Sequence, residues 1–205
     1  METFDDILIR HFHYYGDNDL LPFGLRGRKK NQDGRVLLAR LMRDLGLCEG
    51  AEVGTQYGLS AKTWCENIPE LHLTCIDPYA VYYARKSQEK QDAVYEQARR
   101  TLTGFNVTFM REKSLDVVDQ FRNGSLDFVH IDGDHLFDAC VQDIIRWAPK
   151  VRKGGLVLVH DYVSFYLGGC MDAVNGYTRG HVIKKWFVTQ DPTPTAFWQR
   201  GTERV

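Results

Sequence analysis

Residues 126–135 read Leu126-Asp127-Phe128-Val129-His130-Ile131-Asp132-Gly133-Asp134-His135, and the chain returns at 154–162 with Gly154-Gly155-Leu156-Val157-Leu158-Val159-His160-Asp161-Tyr162. Each is a short apolar run that breaks abruptly into polar residues, the pattern of a buried strand ending at the edge of a sheet. Between them, Leu136–Val151 keeps helical spacing. Strand, helix, strand requires a crossover and makes the two strands parallel.

The same alternation runs outward. Apolar runs at Ala51–Val53, Leu71–Ile76 and Asn106–Met110 come earlier, separated by helical patterns near Ser60–Asn67, Ala80–Leu102 and Leu115–Phe121. Five strands joined by crossovers predict a parallel sheet with helices on its faces. After them, Val182–Thr189 and Thr195–Arg200 are joined only by residues 190–194, too few for a helix, so these two strands pair antiparallel. Ahead of the first strand, Asp33–Gly46 has helical spacing, with Asp33 as cap and Gly46 as stop. The expectation is an α/β fold whose seven-stranded, mostly parallel sheet ends in a C-terminal antiparallel hairpin. Gly16, Pro22, Gly24 and Gly27 break any long period in residues 1–32, which read as an N-terminal arm or lid on a single domain spanning 1–205.

Composition narrows the function. A chain of 205 residues has the length of one domain. Twenty-six Lys and Arg balance 27 Asp and Glu, so the overall charge gives no attraction to nucleic acid. The local cluster Arg26, Arg28, Lys29 and Lys30 reads as a solvated loop. Five scattered cysteines, without a C-x-x-C, suggest neither a zinc knuckle nor a disulfide framework. Neither a signal peptide nor a run long enough for a membrane span is present, so a cytoplasmic protein without a membrane partner is the default. Homo-oligomerisation is left open.

In an open α/β sheet, ligands bind at the carboxyl ends of the strands. The first strand leads into Glu52-Val53-Gly54-Thr55-Gln56-Tyr57-Gly58-Leu59-Ser60, a glycine-bearing turn before a helix. Asp77 follows the second strand, close to the spacing at which an acid meets ribose hydroxyls. Turn and acid together favour an adenosine-containing cofactor. The fourth and fifth strands deliver Asp132, Asp134, His135, His160 and Asp161 toward one crevice, while His130 points the other way as a hydrogen-bonded core histidine.

These motifs, with Ser114 after the third strand, resemble the class I S-adenosylmethionine-dependent methyltransferases. They are most similar to the small-molecule O-methyltransferase branch with an I-D-G-D-H type motif. The resemblance covers roughly residues 47–200 and implies a Rossmann-like three-layer sandwich with S-adenosyl-L-methionine as cofactor. It places Gly54, Thr55 and Gly58 at the methionine end of the cofactor, with Glu52 supporting the turn. It further puts Asp77 on the ribose, Ser114 by the adenine and Asp132 near the transferable methyl. One departure stands in the turn, where Gln56 occupies the position of a frequent middle glycine and narrows the approach.

Transfer of a methyl group to oxygen needs an aligned acceptor and a base for its proton. His135 is the first candidate for that base and His160 the second. Asp132 and Asp161 are also the candidate ligands of an Mg2+ ion that would lower the acceptor's pKa. Tyr82, Tyr83, Arg85, Lys86 and Lys90, and the segment Ser164–Arg179 with its glycines, are placed to cover or frame a small-molecule acceptor, a sugar or a phenolic natural product. Two other readings stay open: a metal-dependent hydrolase using the His/Asp cluster, and a non-catalytic nucleotide-binding module.

Overall fold

The computed structural model describes residues 2–15, 22–28, 33–81, 87–164 and 168–202. Tyr82, Tyr83, Arg85, Lys86, Lys29 and Lys30 lie outside these residues. Nine strands form one sheet: β1 (Phe12–Tyr15), β2 (Phe23–Gly27), β3 (Glu49–Val53), β4 (His72–Ile76), β5 (Val107–Met110), β6 (Leu126–Ile131), β7 (Val151–Val159), β8 (Trp186–Thr189) and β9 (Ala196–Gln199). Their order is β1-β2-β8-β9-β7-β6-β3-β4-β5. From β7 to β5 every pair is parallel, whereas β9 runs antiparallel to both β7 and β8. This is the Rossmann-like sandwich expected, with two strands more than the seven predicted.

Both extra strands come from the N-terminal segment. Helix α1 (Phe4–His11) leads into β1, β1 pairs antiparallel with β2, and β2 lies parallel to β8. Ile7, Leu8, Phe12 and Leu25 are buried in the main core. Burial of each such side chain contributes roughly 1.5–3 kcal/mol, enough to fasten the segment to the sheet edge.

Helices α2 (Gly34–Asp44), α3 (Leu59–Asn67) and α4 (Gln88–Thr101) follow, then the single turn α5 (Ser114–Val117), α6 (Phe137–Trp147) and α7 (Gly169–Gly180). Asp33 caps α2, its side chain accepting from the Arg35 N–H, and Gly46 closes it with a left-handed φ of +69°. Alternation along the strands divides the core. Leu73, Cys75, Phe128, Leu156 and Leu158 pack with α1, α2 and α3 on one face, and Ala51, Val53, Val129, Ile131 and Val157 pack with α6 and α7 on the other. Trp64, Trp147, Trp186 and Trp198 are buried, and all five cysteines are free.

Two helices differ from expectation. Of the span predicted as Ala80–Leu102, α4 covers Gln88–Thr101, with the Ser87 hydroxyl capping its start and accepting from the Lys90 N–H; residues 82–86 lie outside the described residues. The glycine-rich stretch Ser164–Arg179, read as framing the acceptor and not as a helix, contains α7. Cys170, Ala173, Val174 and Tyr177 form a buried i, i+3, i+4, i+7 stripe that outweighs the glycines around it.

Candidate active site

Backbone register builds the site. Asp77 N–H donates to Met110 O, Gly54 N–H to Ile76 O, Asp132 N–H to Val53 O and His160 N–H to Ile131 O. These four residues therefore stand in one row across the carboxyl ends of β4, β3, β6 and β7. Three strand spacings span about 14 Å. The row crosses the switch point, since β3 is joined onward to β4 while its other neighbour is β6.

The turn after β3 is held by hydrogen bonds of defined geometry. Gln56 N–H donates to Asp77 Oδ2 at 2.9 Å and Tyr79 N–H to Asp77 Oδ1 at 2.8 Å. The Tyr79 hydroxyl returns a bond to the Gln56 carbonyl at 3.0 Å. Gln56 has φ +46°, in the left-handed region that favours glycine, so the bonds from Asp77 and Tyr79 keep a glycine-like backbone beneath a larger side chain that points outward. Tyr79 is itself left-handed, at φ +46°, and buried, with its ring against Tyr95. At Gly54 a side chain is impossible: a Cβ would come within 2.0 Å of the Asp132 carbonyl oxygen. Here the turn touches the end of β6.

Glu52 and Ser114 turn their polar groups inward. Glu52 and His130 are register partners on the α2/α3 face; Glu52 Oε1 accepts from Trp64 Nε1 at 3.2 Å and lies 3.1 Å from His130 Nδ1. His130 is thus the expected core histidine. The Ser114 hydroxyl donates to Asp143 Oδ1 and accepts from Trp147 Nε1. Burial pushes the Asp143 carboxyl up to about 6. Asp143 escaped the sequence reading, although an acid within the buried stripe Cys140, Asp143, Ile144, Trp147 signals a functional or strained group.

Beyond β6 and β7, charge replaces geometry. His135 Nε2 lies 3.2 Å from Asp161 Oδ2 and 3.7 Å from Asp132 Oδ1. His160 Nδ1 lies 3.3 Å from Asp132 Oδ1 and 3.4 Å from Asp161 Oδ1, yet neither ring nitrogen of His160 makes an angularly sound hydrogen bond. Burial would raise the Asp132 pKa, but the two imidazoles hold it well below the ordinary carboxylate range. Burial likewise pulls His160 down, and Asp132 and Asp161 more than reverse this, pushing it up to about 10. Contact with Asp132 raises His135 against a smaller opposing effect of burial. Asp161 holds the cluster from a left-handed backbone, φ +54°.

Asp132, His135 and Asp161 each offer one ligand atom, all within 4.8 Å of one another. Two carboxylates and an imidazole fit a divalent cation. The Tyr162 hydroxyl instead donates to Asn175 Oδ1 at 2.9 Å. Asp134 does the work of a turn acid, its Oδ1 accepting from the Leu136 N–H ahead of α6. Beside His135 and Ser114 opens a cleft of about 570 Å³ lined by Leu115, Leu136, Phe137, Gln142 and Gly169. Leu136 and Phe137 are large apolar side chains left exposed there, and the periodicity alone did not single them out.

Several solved structures share this fold. The O-methyltransferase TomG of Streptomyces achromogenes, in complex with SAM, superposes with a TM-score of 0.62 at 17% identity, covering 82% of this chain and 79% of that one. The O-methyltransferase of Bacillus cereus, in complex with SAH, gives 0.60 at 13% identity, covering 82% and 83%. In sequence, an uncharacterised protein of Sinorhizobium fredii is 27% identical over 119 residues, 54% of this chain and 12% of that protein. An uncharacterised protein of Acanthamoeba polyphaga mimivirus is 28% identical over 130 residues, 60% of this chain and 56% of that protein. The chain therefore spans little more than half, or far less, of the curated relatives it matches. No helix among the described residues is long and apolar enough to cross a membrane. A family model, described as a methyltransferase domain, matches residues 51–162, the span from the first crossover strand to the end of the charge cluster, and by that match the chain belongs to the methyltransferase-domain family.

Proposed function

We propose that this chain is an S-adenosyl-L-methionine-dependent methyltransferase acting on an oxygen of a small molecule, a sugar or a phenolic compound. We read residues 1–205 as one domain, with 1–32 an arm fastened at the sheet edge. The observation that carries the reading is the row Asp77, Gly54, Asp132, His160, which sets an acid, a glycine turn and a charged strand end in line along one crevice. The TomG and Bacillus cereus complexes, which share the fold, hold SAM and SAH.

The cofactor supplies a methyl group on a sulfonium centre. Asp77 binds the ribose hydroxyls while its backbone contacts keep the turn closed, and Gly54, Thr55 and Gly58 admit the methionine end. Ser114 offers its backbone to the adenine, since its hydroxyl is engaged with Asp143 and Trp147. Asp132 stands at the reacting end. His135 takes the acceptor's proton: its side chain is 33% exposed against 8% for His160, so it is the imidazole an acceptor can reach. Asp132 and Asp161 stabilise the imidazolium formed, as carboxylates do for catalytic histidines. His160 holds those two carboxylates from beneath. In the alternative to that base, Asp132 and Asp161 would hold Mg2+, which when bound lowers the pKa of a coordinated hydroxyl so that no imidazolium need form.

Calorimetric titration with S-adenosylhomocysteine, with and without Mg2+, tests the cofactor; transfer of labelled methyl to a panel of sugars and phenols tests the acceptor. One-to-one binding is expected. Its absence in folded protein would overturn the reading.

A further inference from the structure

We infer that Cys140 and Cys170 form an oxidative-modification site, a pair of thiols that a peroxide converts to a disulfide acting on the backbone of His135. The packing of α6 against α7 brings the two together: both lie in the same core cluster, and their thiols are hydrogen-bond partners. The Cys170 thiol in turn donates to the His135 carbonyl oxygen at 4.0 Å. A chain of contacts therefore runs from Cys140 through Cys170 to His135. Glycine permits this approach. Gly169 opens α7, and a Cβ there would come within 2.1 Å of the His135 carbonyl oxygen and 2.8 Å of the Phe137 nitrogen. The first turn of α7 thus lies directly on the loop that carries His135.

Buried thiols are ordinarily inert, and Cys65 and Cys75 follow that rule: burial pushes the Cys65 thiol up to about 12 and the Cys75 thiol well above its usual range. The pair between α6 and α7 differs in two respects. Each thiol has the other at hand as a resolving partner. The cleft beside His135 is lined by Ala139 and Gly169, the chain neighbours of the two cysteines, and leads a small oxidant toward them. Cys170, 5% exposed against 1% for Cys140, is the sulfur met first. Its thiolate attacks one oxygen of hydrogen peroxide, the O–O bond breaks, and the departing hydroxide takes up the Cys170 proton as water, leaving a sulfenic acid. The Cys140 thiolate then attacks that sulfur, the S–S bond forms, and the expelled hydroxide leaves as water with the Cys140 proton. Two thiols give up two electrons and two protons, and one peroxide becomes two waters. Both S–H groups are consumed, so the His135 carbonyl loses its thiol donor while the helices beneath it are drawn together. That His135 is the base belongs to the functional reading above; formation of the bond does not depend on it.

The test is titration of the full chain with hydrogen peroxide under native conditions, then alkylation and peptide mass mapping without reductant. A Cys140–Cys170 cross-linked peptide is expected, lighter by two hydrogens than its separate parts and lost on treatment with dithiothreitol, with Cys65 and Cys75 unmodified until the chain is unfolded. Cys140→Ser should stop the reaction at a Cys170 sulfenic acid that dimedone traps; Cys140→Ala serves if serine in that core prevents folding. The His135 imidazole resonances should shift on oxidation, return on reduction, and ignore peroxide in Cys170→Ser. Modification confined to Cys48, or no cross-link at peroxide concentrations that leave the fold intact, overturns the site. A cross-link that leaves the His135 resonances in place overturns its action on the loop. Formation of the cross-link in a protein that binds no S-adenosylhomocysteine would uphold the site and remove the cofactor reading alone.

Discussion

The two halves of the crevice are built on opposite terms. At the turn after β3, the polar contacts run between a side chain and a backbone group: Asp77 receives two N–H bonds at 2.8–2.9 Å, and Tyr79 closes the loop at 3.0 Å. At the ends of β6 and β7, four charged side chains face one another at 3.2–3.7 Å, and the buried nitrogens of His160 lack sound hydrogen bonds. In the first region the backbone is held in place before any ligand arrives, and only the buried Thr55 hydroxyl in the turn lacks a hydrogen-bond partner among the described residues. The second keeps hydrogen-bonding capacity in reserve, at an expense of the order of 1–3 kcal/mol for each buried unsatisfied group. A binding surface needs a fixed shape, whereas a reacting surface needs groups whose partners change during the reaction.

The most severe way to break this contrast is His135→Ala. Turnover should fall about 10²- to 10⁴-fold, the usual worth of a placed base, while S-adenosylhomocysteine binding stays intact. A parallel loss of binding would mean that both halves serve the cofactor. Next, Asp77→Ala should weaken cofactor binding by about two orders of magnitude, because it removes the ribose acceptor and unlatches Gln56 and Tyr79 together; calorimetry gives the answer, and an unchanged Kd sinks the assignment.

Asp143 lies at the seam, with Oδ2 close beneath Gly133. Its folded pKa, about 6, is above the unfolded value, so its protonated form is the favoured one. The associated stability is present below about pH 3.8 and is lost as pH rises through 6. Asp143→Asn should therefore match the unaltered protein in urea melts at pH 4 and exceed it by about 2 kcal/mol at pH 8. Equal gains at both pH values would assign the effect to packing. Smallest of all, Gln56→Gly should stabilise by about 0.5–1 kcal/mol through relief of the left-handed backbone, and a thermal melt together with the S-adenosylhomocysteine Kd would show whether the turn is already at its optimal shape.

Much of this was legible because each strand of the central sheet is a short apolar run ending in polar residues. Ala51–Val53 and Leu126–Ile131 needed no partner to be recognised. The contrast between the two halves of the site was less accessible. That Asp132 and His160 stand beside Gly54 follows from register between strands distant in sequence, and no local pattern states it. His130 could be assigned to the core by alternation, but Glu52 as its partner could not, for the same reason. The N-terminal strands escaped because Phe12–Tyr15 and Phe23–Gly27 are four and five residues long and contain or adjoin chain-breaking residues.

The pairing of β2 with β8 sets the order in which the molecule can be finished. Leu25 is hydrogen-bonded alongside Thr189, almost the whole chain away. At 5–20 residues per second, a ribosome would hold the first-made strands without their neighbour for roughly 10–30 s. During that time Phe12, Phe23 and Leu25 have no sheet to join. Strands made before their sheet neighbour are thus docked after it, and the β1–β2 hairpin should acquire its hydrogen-exchange protection only after the β8–β9 hairpin has closed.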